Sequence, residues 1–298
     1  MNISVVVITR NRHELLIQVL SSLVAQTVAP FEVVIVDGSD APYKVPKELD
    51  AKLPIRLFRD RKKLIPHARN IGIQKSSGDI IFFVDDDCTL HTEAIGRVVN
   101  HFRRFPATQA VVGMIRNGTP QNVYARVQHF YYERWIRSFG LSGQRIQRLP
   151  DGCLMDFELL AAKRSLLRRY DFNTDVPFGR DEDVELGVRI YKDTKELYFN
   201  PTIKADHVPR QTLASLIQRN FMVGYCNAYL FQTRNILTKP RFRVHSASSI
   251  SFLSGTSMSW HVKVVYVLLL GIYPIFSRIG RLTFFSRERL LKSFSMQK

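Results

Sequence analysis

Cysteine is scarce in this sequence, and its spacing excludes two classes of protein. Cys88, Cys153 and Cys226 are the three cysteines of the 298-residue chain, and no two of them form a CxxC pair. An odd, widely spaced set excludes a disulfide-stapled scaffold and a paired-cysteine zinc site, and it favours a reducing compartment. We expect Cys153 to be a core residue.

The sequence also shows no signal-peptide pattern at its start, no internal repeats and no low-complexity tracts. The apolar stretch at the start has neither a basic region before it nor a small-residue cleavage site, so we expect the first residues to belong to the fold. The main break in composition is a serine-rich stretch at 246–259, followed by an apolar run. We predict a domain boundary at this break.

Acidic residues are few relative to basic ones. The chain carries 43 Lys and Arg against 26 Asp and Glu, a formal net charge of +17, while 45% hydrophobic and 11% aromatic residues exclude a disordered chain. Such a charge indicates an anionic partner: nucleic acid, a phosphorylated substrate or an acidic lipid surface. Because recognition-helix, RNP and zinc-finger patterns are missing, we expect no nucleic acid partner.

The hydrophobic pattern predicts an α/β fold. Residues 3–8 and 32–36 are β-branched runs typical of strands buried on both faces, and residues 12–25 have helical spacing after a capping-box pattern at Asn11 and Glu14. This order predicts a right-handed βαβ unit in a sheet that is parallel at its centre. The pattern continues with strands near 55–58, 79–84, 109–115 and 197–205, and helices near 66–76 and 92–104.

Polar residues follow three of these strands, where ligands bind in open α/β sheets. They include Asp85, Asp86 and Asp87, whose mutual repulsion requires a cation or strong donors nearby. Asp85 and Asp87 alternate and offer oxygen ligands to Mg²⁺ or Mn²⁺, although a solvated acidic turn is the simpler alternative.

Four segments together resemble the inverting glycosyltransferases of family 2. They are Val5 to Arg12, Val34 to Ser39, Ala68 to Gly72 leading into Gly78 to Asp87, and Phe178 to Leu186. The resemblance covers about residues 1–230. It implies a GT-A fold, a Rossmann-like three-layer αβα sandwich with a mostly parallel central sheet.

The resemblance also implies roles for the donor-side residues. Thr9, Arg10 and Asn11 match the first nucleotide-contacting loop, Asp37 the contact to the base, and Arg69 a contact in the diphosphate or base pocket. Asp85 and Asp87 match the DxD motif, the first near the ribose and the second on the metal, and Asp86 belongs to the same donor-binding set. Plainer alternatives are helix caps for Thr9 and Asn11, an Asx-turn for Asp37 and a surface cation for Arg69.

Sugar transfer also needs a base, because the attacking hydroxyl must lose its proton. By resemblance, Asp183 occupies the aspartate position of the family's ED motif. A plain helix-end carboxylate is the alternative, and the neighbouring acidic residues leave a one-residue ambiguity in the identity of the base.

Glu182 and Arg219 are acceptor-side candidates. Arg219 resembles a late segment near the diphosphate but also suits a solvated helix face. His207 resembles a histidine that completes the metal site, and an imidazole favours Mn²⁺. The segment 151–154 resembles an acceptor-side turn.

The resemblance therefore implies an inverting transferase that moves a sugar, from a UDP-sugar in our prediction, to a glycan or lipid-linked hydroxyl in polysaccharide or glycolipid synthesis. A non-catalytic nucleotide- or glycan-binding relative and a sugar-phosphate nucleotidyltransferase are alternatives. We divide the chain into a nucleotide-sugar half at 1–115, an acceptor half at 116–245 and a membrane-associating segment at 246–298.

The apolar run at 262–276 spans about 22 Å as a helix, short of the roughly 30 Å of a hydrocarbon core. Basic residues flank it on both sides and would attract anionic lipid. We expect an in-plane or re-entrant helix at the cytoplasmic face of a membrane; a single C-terminal anchor and a buried or oligomeric helix are the alternatives.

Overall fold

The computed structural model describes residues 1–119, 121–141, 145–150, 158–208, 212–234 and 260–295. Contacts divide the chain into two compact units. The first comprises 1–118, 132–175 and 182–208, and the second 119–131, 176–181 and 209–298. Cys153, the 151–154 turn and the serine-rich stretch at 246–259 lie outside the described residues. The three-part division of the chain stays a prediction.

The strands and helices follow the chain in a largely alternating order. The strands are β1 Ile3–Thr9, β2 Glu32–Asp37, β3 Ile55–Arg59, β4 Ile80–Val84, β5 Cys88–Leu90, β6 Ala110–Asn117, β7 Gln147–Arg148, β8 Leu159–Lys163 and β9 Leu197–His207. The helices are α1 His13–Val24, α2 Lys47–Asp50, α3 Ile65–Lys75, α4 Ala94–Arg104, α5 Val123–Ser138, α6 Arg164–Leu167, α7 Glu182–Asp193, α8 Leu213–Arg234 and α9 Trp260–Ser295, with a 3₁₀ turn at Pro177–Gly179.

One mixed sheet organises the first unit. Its order is β3-β2-β1-β4-β8-β6-β9-β5, with β7 also paired to β9. The pairs from β3 through β4 are parallel, whereas β8 runs antiparallel to both β4 and β6. The predicted parallel centre is confirmed for β3, β2, β1 and β4. A crossover connects each of these strands to the next along the chain, as parallel pairing requires.

Strand alternation separates two apolar layers. In β1, Val5 and Val7 contact the layer that contains α1 and α4, whereas Val6 contacts the opposite layer with α3 and α7. All of these valines are at most 1% exposed. Helices therefore cover both faces of the sheet, as the predicted three-layer arrangement requires.

Strand β8 is an element that the sequence pattern did not predict. Its Leu159–Lys163 stretch is short and alanine-containing, so its β propensity is weak. It forms because it pairs on both sides, with β4 and with β6, and four of its five residues are buried.

The predicted capping box at the start of α1 is wrong. Arg12 is the N-cap residue, and the helix has no side-chain cap hydrogen bond. Asn11 instead adopts a left-handed conformation with φ 56°. Its side chain forms two hydrogen bonds with Asp40. The Asp40 backbone N–H donates to Asn11 Oδ1 at 2.9 Å, and Asn11 Nδ2 donates to Asp40 Oδ2 at 2.8 Å.

The second unit is built mainly from α8 and α9, which pack at short range. A Cβ added at Gly224 would lie 1.8 Å from the Ser277 carbonyl oxygen, and one added at Gly280 would lie 2.0 Å from the Phe221 carbonyl oxygen. Glycine at these two positions is therefore required for the close approach of the helices. Within the described ranges, no helix is long and apolar enough to cross a membrane.

Candidate donor-binding and catalytic site

The candidate site lies at the carboxyl ends of β1, β2 and β4. These strands are parallel neighbours that end at Thr9, Asp37 and Val84, so the residues after them converge on one edge of the sheet. The sequence predicted this edge as the ligand-binding edge, and the sheet order brings the three loops together.

Two of the three consecutive aspartates after β4 are held by donors from residues 9–12, which we call the β1 loop. Thr9 Oγ1 donates to Asp86 Oδ2 at 2.7 Å, and Arg12 Nη1 donates to Asp86 Oδ1 at 3.0 Å and to Asp87 Oδ2 at 2.8 Å. The side chains of Asp86 and Asp87 are only 7% and 12% exposed. The solvated-turn interpretation of these aspartates is therefore wrong.

Burial and mutual repulsion disfavour the ionised forms of two carboxylates in this cluster. Burial, with a further contribution from Asp87, Glu158 and Asp86, raises the pKa of Asp85 to about 7, although Arg69 opposes the shift. Burial also raises the pKa of Asp86, against the opposing effect of Arg12. A bound cation would stabilise the ionised form of both groups.

Asp87 is paired with His207 as well as with Arg12. Residues Cys88 and His207 are partners in the antiparallel β5–β9 ladder, and this brings His207 Nε2 within 3.4 Å of Asp87 Oδ1. Burial alone would raise the pKa of Asp87 and lower that of His207. For Asp87, the interactions with His207 and Arg12 outweigh the effect of burial, so its pKa is lowered. For His207, the charges of Glu158, Asp87 and Asp85 outweigh the effect of burial and raise its pKa to about 9.

The chemistry of this pair fits a divalent cation. Mg²⁺ and Mn²⁺ sites that also bind substrate phosphates commonly use one or two protein ligands, and a carboxylate with an imidazole favours Mn²⁺. In the part of the chain that the structure describes, no group of three or more His, Cys, Asp or Glu side chains is arranged to hold a metal ion. The assignment of Asp87 and His207 as metal ligands stays a prediction.

Arg69 is buried, so its interpretation as a surface cation is wrong. Its side chain is 4% exposed, with Nη1 2.6 Å from Glu182 Oε1 and Nη2 3.3 Å from Asp85 Oδ1. The guanidinium also lies over the Phe172 ring, 5.5 Å from its centroid. Burial would lower the pKa of Arg69, but Glu182, Asp85 and Asp183 raise it above its ordinary value. Arg69 thus links the DxD segment to α7.

Asp37 is fully buried and forms the Asx-turn that the sequence left as an alternative. Its Oδ1 accepts the Ser39 N–H at 2.8 Å, and its Oδ2 accepts the Tyr43 N–H at 2.8 Å and a bond from Arg59. Burial alone would raise the pKa of Asp37, but these donors hold it below its ordinary value. Its contact to a nucleotide base stays a prediction.

The other two residues of the β1 loop face neighbouring loops. Asn11 N donates to Ser39 Oγ at 2.8 Å, in addition to the reciprocal pair with Asp40. Arg10 is exposed and donates from Nη1 to the Lys63 carbonyl oxygen at 3.3 Å. Neither Thr9 nor Asn11 caps α1, so the helix-cap alternative does not describe them.

Glu182 and Asp183 open helix α7 but have different surroundings. Glu182 is 4% exposed and paired with Arg69, whereas Asp183 is half-buried, with Oδ1 accepting the Val184 N–H at 2.8 Å. The acidic start of the helix also suits the positive end of its dipole. Arg219 lies half-buried on α8 in the second unit.

Sequence reasoning missed three charged residues of this region. Arg12 contacts two of the aspartates, Arg59 contacts Asp37, and Glu158 contributes its charge to the environment of Asp85 and His207. Arg12 lies inside a segment that carried the family resemblance, so its position was a usable signal. Arg59 is the last residue of β3 and Glu158 directly precedes β8, and neither has a local motif.

The fold is of the nucleotide-sugar-binding GT-A type, shared with solved structures that this chain resembles. The family model for glycosyl transferase family 2 matches residues 4–170. The chain therefore belongs to glycosyl transferase family 2, and it is a glycosyltransferase.

The relatives agree with this assignment. The chain is 28% identical over 251 residues to the glucosyl-dolichyl phosphate glucuronosyltransferase of Haloferax volcanii, covering 76% of each chain. It is 38% identical over 89 residues to the uncharacterized glycosyltransferase YwdF of Bacillus subtilis, which covers 29% of this chain and 33% of the relative. The solved mannosyltransferase of Pyrobaculum calidifontis, in complex with GDP-Man and Mn²⁺, is 18% identical with a TM-score of 0.62 and covers 94% of this chain and 87% of its own.

Proposed function

We propose that the protein is a metal-dependent, inverting transferase that moves a sugar from a nucleoside diphosphate to an acceptor hydroxyl. The observation that carries the proposal is the buried carboxylate cluster Asp85, Asp86 and Asp87, which meets Arg12, Arg69 and His207 at the ligand-binding edge of the sheet. Such an arrangement of fixed charges is suited to a phosphate-bound cation.

In this proposal one set of residues binds the nucleotide and its diphosphate leaving group, and another acts on the acceptor. Thr9, Arg10, Asn11 and Asp37 contact the nucleotide, and Asp87 with His207 would hold a divalent ion, Mn²⁺ by preference. When bound, the ion supplies positive charge to the leaving diphosphate. Arg69 orients Asp85 from the buried side.

Asp183 is the proposed general base. Glu182 is paired with Arg69, so its carboxylate is held away from a proton-transfer role, whereas Asp183 is half-buried and accepts the Val184 N–H. Asp183 would accept the proton of the acceptor hydroxyl as that oxygen attacks the anomeric carbon opposite the leaving diphosphate. Attack from that side inverts the anomeric configuration.

Calorimetric titration with UDP, GDP, CMP and dTDP tests the proposal. We expect one nucleotide, UDP in our prediction, to bind with Mn²⁺ and not with EDTA, and Asp87→Ala to abolish this metal-dependent binding. Binding of none of the four by folded protein would instead favour a non-catalytic relative. Product analysis separates the remaining alternative, because a nucleotidyltransferase would exchange pyrophosphate whereas a glycosyltransferase releases nucleoside diphosphate.

We also propose that the acceptor is lipid-linked and that α9 associates with an anionic membrane surface at the cytoplasmic face. Leu268, Ile275, Ile279 and Leu282 are between 44% and 67% exposed. At 100° per residue they lie within an arc of about 60° on one helix face. Arg278 is exposed beside them, and the net charge of the chain is +17. Apolar area next to basic residues favours in-plane binding to anionic lipid.

Vesicle sedimentation tests this association. We expect the protein to sediment with vesicles containing phosphatidylserine and far less with phosphatidylcholine alone. Ile275→Glu combined with Ile279→Glu should abolish sedimentation, while Ile17→Glu, at an exposed residue of α1, should not. Equal sedimentation of both variants would refute the role of the α9 face.

A further inference from the structure

Arg12 is the charged residue that joins two of the three aspartates. Its Nη1 atom lies 3.0 Å from Asp86 Oδ1 and 2.8 Å from Asp87 Oδ2. We propose that Arg12 is an internal counter-ion that competes with the divalent cation for Asp87 and thereby sets the metal affinity of the site. This inference rests on the metal dependence proposed above.

The β1 loop presents Arg12 to the aspartates by a defined backbone path. Asn11 reverses the chain with φ 56° and is tied to Asp40 through both of its side-chain polar atoms. Arg12 then serves as the N-cap residue of α1. Because Asn tolerates the left-handed region better than most residues do, the loop holds this path at little conformational cost.

The ion pair is asymmetric in its exposure to solvent. The Arg12 side chain is 39% exposed, whereas those of Asp86 and Asp87 are 7% and 12% exposed. The arginine is therefore the partner that can turn outward into water, while the aspartates remain fixed by Thr9 and by the β5–β9 ladder.

The contacts of Asp87 place Arg12 in competition with a metal ion. Its Oδ1 faces His207 and its Oδ2 faces Arg12, so a metal ion that binds this carboxylate through Oδ2 meets the positive charge of Arg12. The same Nη1 atom also contacts Asp86 Oδ1, so a small movement frees Asp87 and leaves Arg12 paired with Asp86 alone. Arg12 thus neutralises charge on Asp86 and Asp87 before the metal binds, and it loses its contact with Asp87 when the metal binds.

Titration of the full chain with Mn²⁺ alone, followed by the electron paramagnetic resonance signal of free Mn²⁺, tests the inference. We expect Arg12→Gln to bind Mn²⁺ about tenfold more tightly than the wild type, since it removes a competing charge in contact with Asp87. Arg12→Lys keeps the charge and should stay within about threefold of the wild type. Arg103→Gln makes the same charge change at an exposed residue of α4 and should leave the affinity unaltered.

The outcomes separate this inference from the proposed function. Equal or weaker Mn²⁺ binding by Arg12→Gln, with wild-type binding intact, overturns the competition and leaves the metal dependence standing. An equal gain in Arg103→Gln also overturns it, because the effect would then be one of net charge. If neither the wild type nor Arg12→Gln binds Mn²⁺, even with UDP or GDP present, both the metal dependence and the role of Arg12 fail.

Discussion

The buried ion pair between Arg69 and Glu182 allows the roles of two adjacent acidic residues to be separated by experiment. Glu182 Oε1 lies 2.6 Å from Arg69 Nη1, and their side chains are 5% and 4% exposed. Asp183, one residue further along, is half-buried and accepts the N–H of Val184. We predict that Glu182→Gln reduces stability, whereas Asp183→Asn removes sugar transfer.

The magnitudes follow from the two environments. Breaking a buried ion pair by removing one partner costs about 3–5 kcal/mol, and the lower value applies here because glutamine keeps an acceptor for Arg69. A loss of about 3 kcal/mol lowers the midpoint of thermal unfolding by roughly 6–12 °C in a protein of this size. Asp183→Asn keeps the Arg69–Glu182 ion pair and loses a charge at the helix N-terminus, worth about 0.3–1 kcal/mol, or at most about 3–4 °C.

Differential scanning fluorimetry and a transfer assay measure the two effects side by side. Asp183→Asn should lower the transfer rate by at least about 100-fold, since that is the lower range for loss of a general base, and should still bind nucleotide. If Glu182→Gln keeps the wild-type unfolding midpoint and loses transfer while Asp183→Asn remains active, the two roles are the reverse of those assigned.

Two further predictions concern the first unit. Burial lowers the pKa of His101 to about 4, so the folded protein binds fewer protons than the unfolded chain between pH 6.5 and about 4. The free energy of unfolding should therefore fall by up to about 3 kcal/mol as the pH decreases through that window. In urea unfolding, His101→Gln should show a shallower decline of stability over the same pH range. An identical pH dependence in the two proteins would contradict this. A Cβ at Gly72 would lie 2.5 Å from Cγ1 of Val6, a stiff β-branched residue, so Gly72→Ala should destabilise by about 1–3 kcal/mol in the same assay. Gly96→Ala is the matched control on α4, where the nearest atom lies at 3.3 Å, and it should be neutral or stabilising because alanine favours helix.

Local pattern predicted much of the parallel half of the sheet. The strands β1, β2 and β4 lie within one or two residues of their predicted bounds, as do the helices α1 and α3 that connect and cover them. These strands are buried on both faces, and such burial demands continuous β-branched or aromatic runs that are legible in the sequence. The placement of polar residues after the strands followed from the same order, because parallel strands end at one edge.

Tertiary structure decided which charges meet at that edge. Arg69 and Glu182 are 113 residues apart in sequence, and His207 reaches Asp87 only through the β5–β9 ladder. Strand β8 exists because two neighbours pair with it, and Arg12 turns to the aspartates because Asn11 adopts a left-handed conformation. The residue types at the site were therefore determined locally. Their pairings were not, since Coulomb attraction and burial act on distances in space that only the packed chain defines.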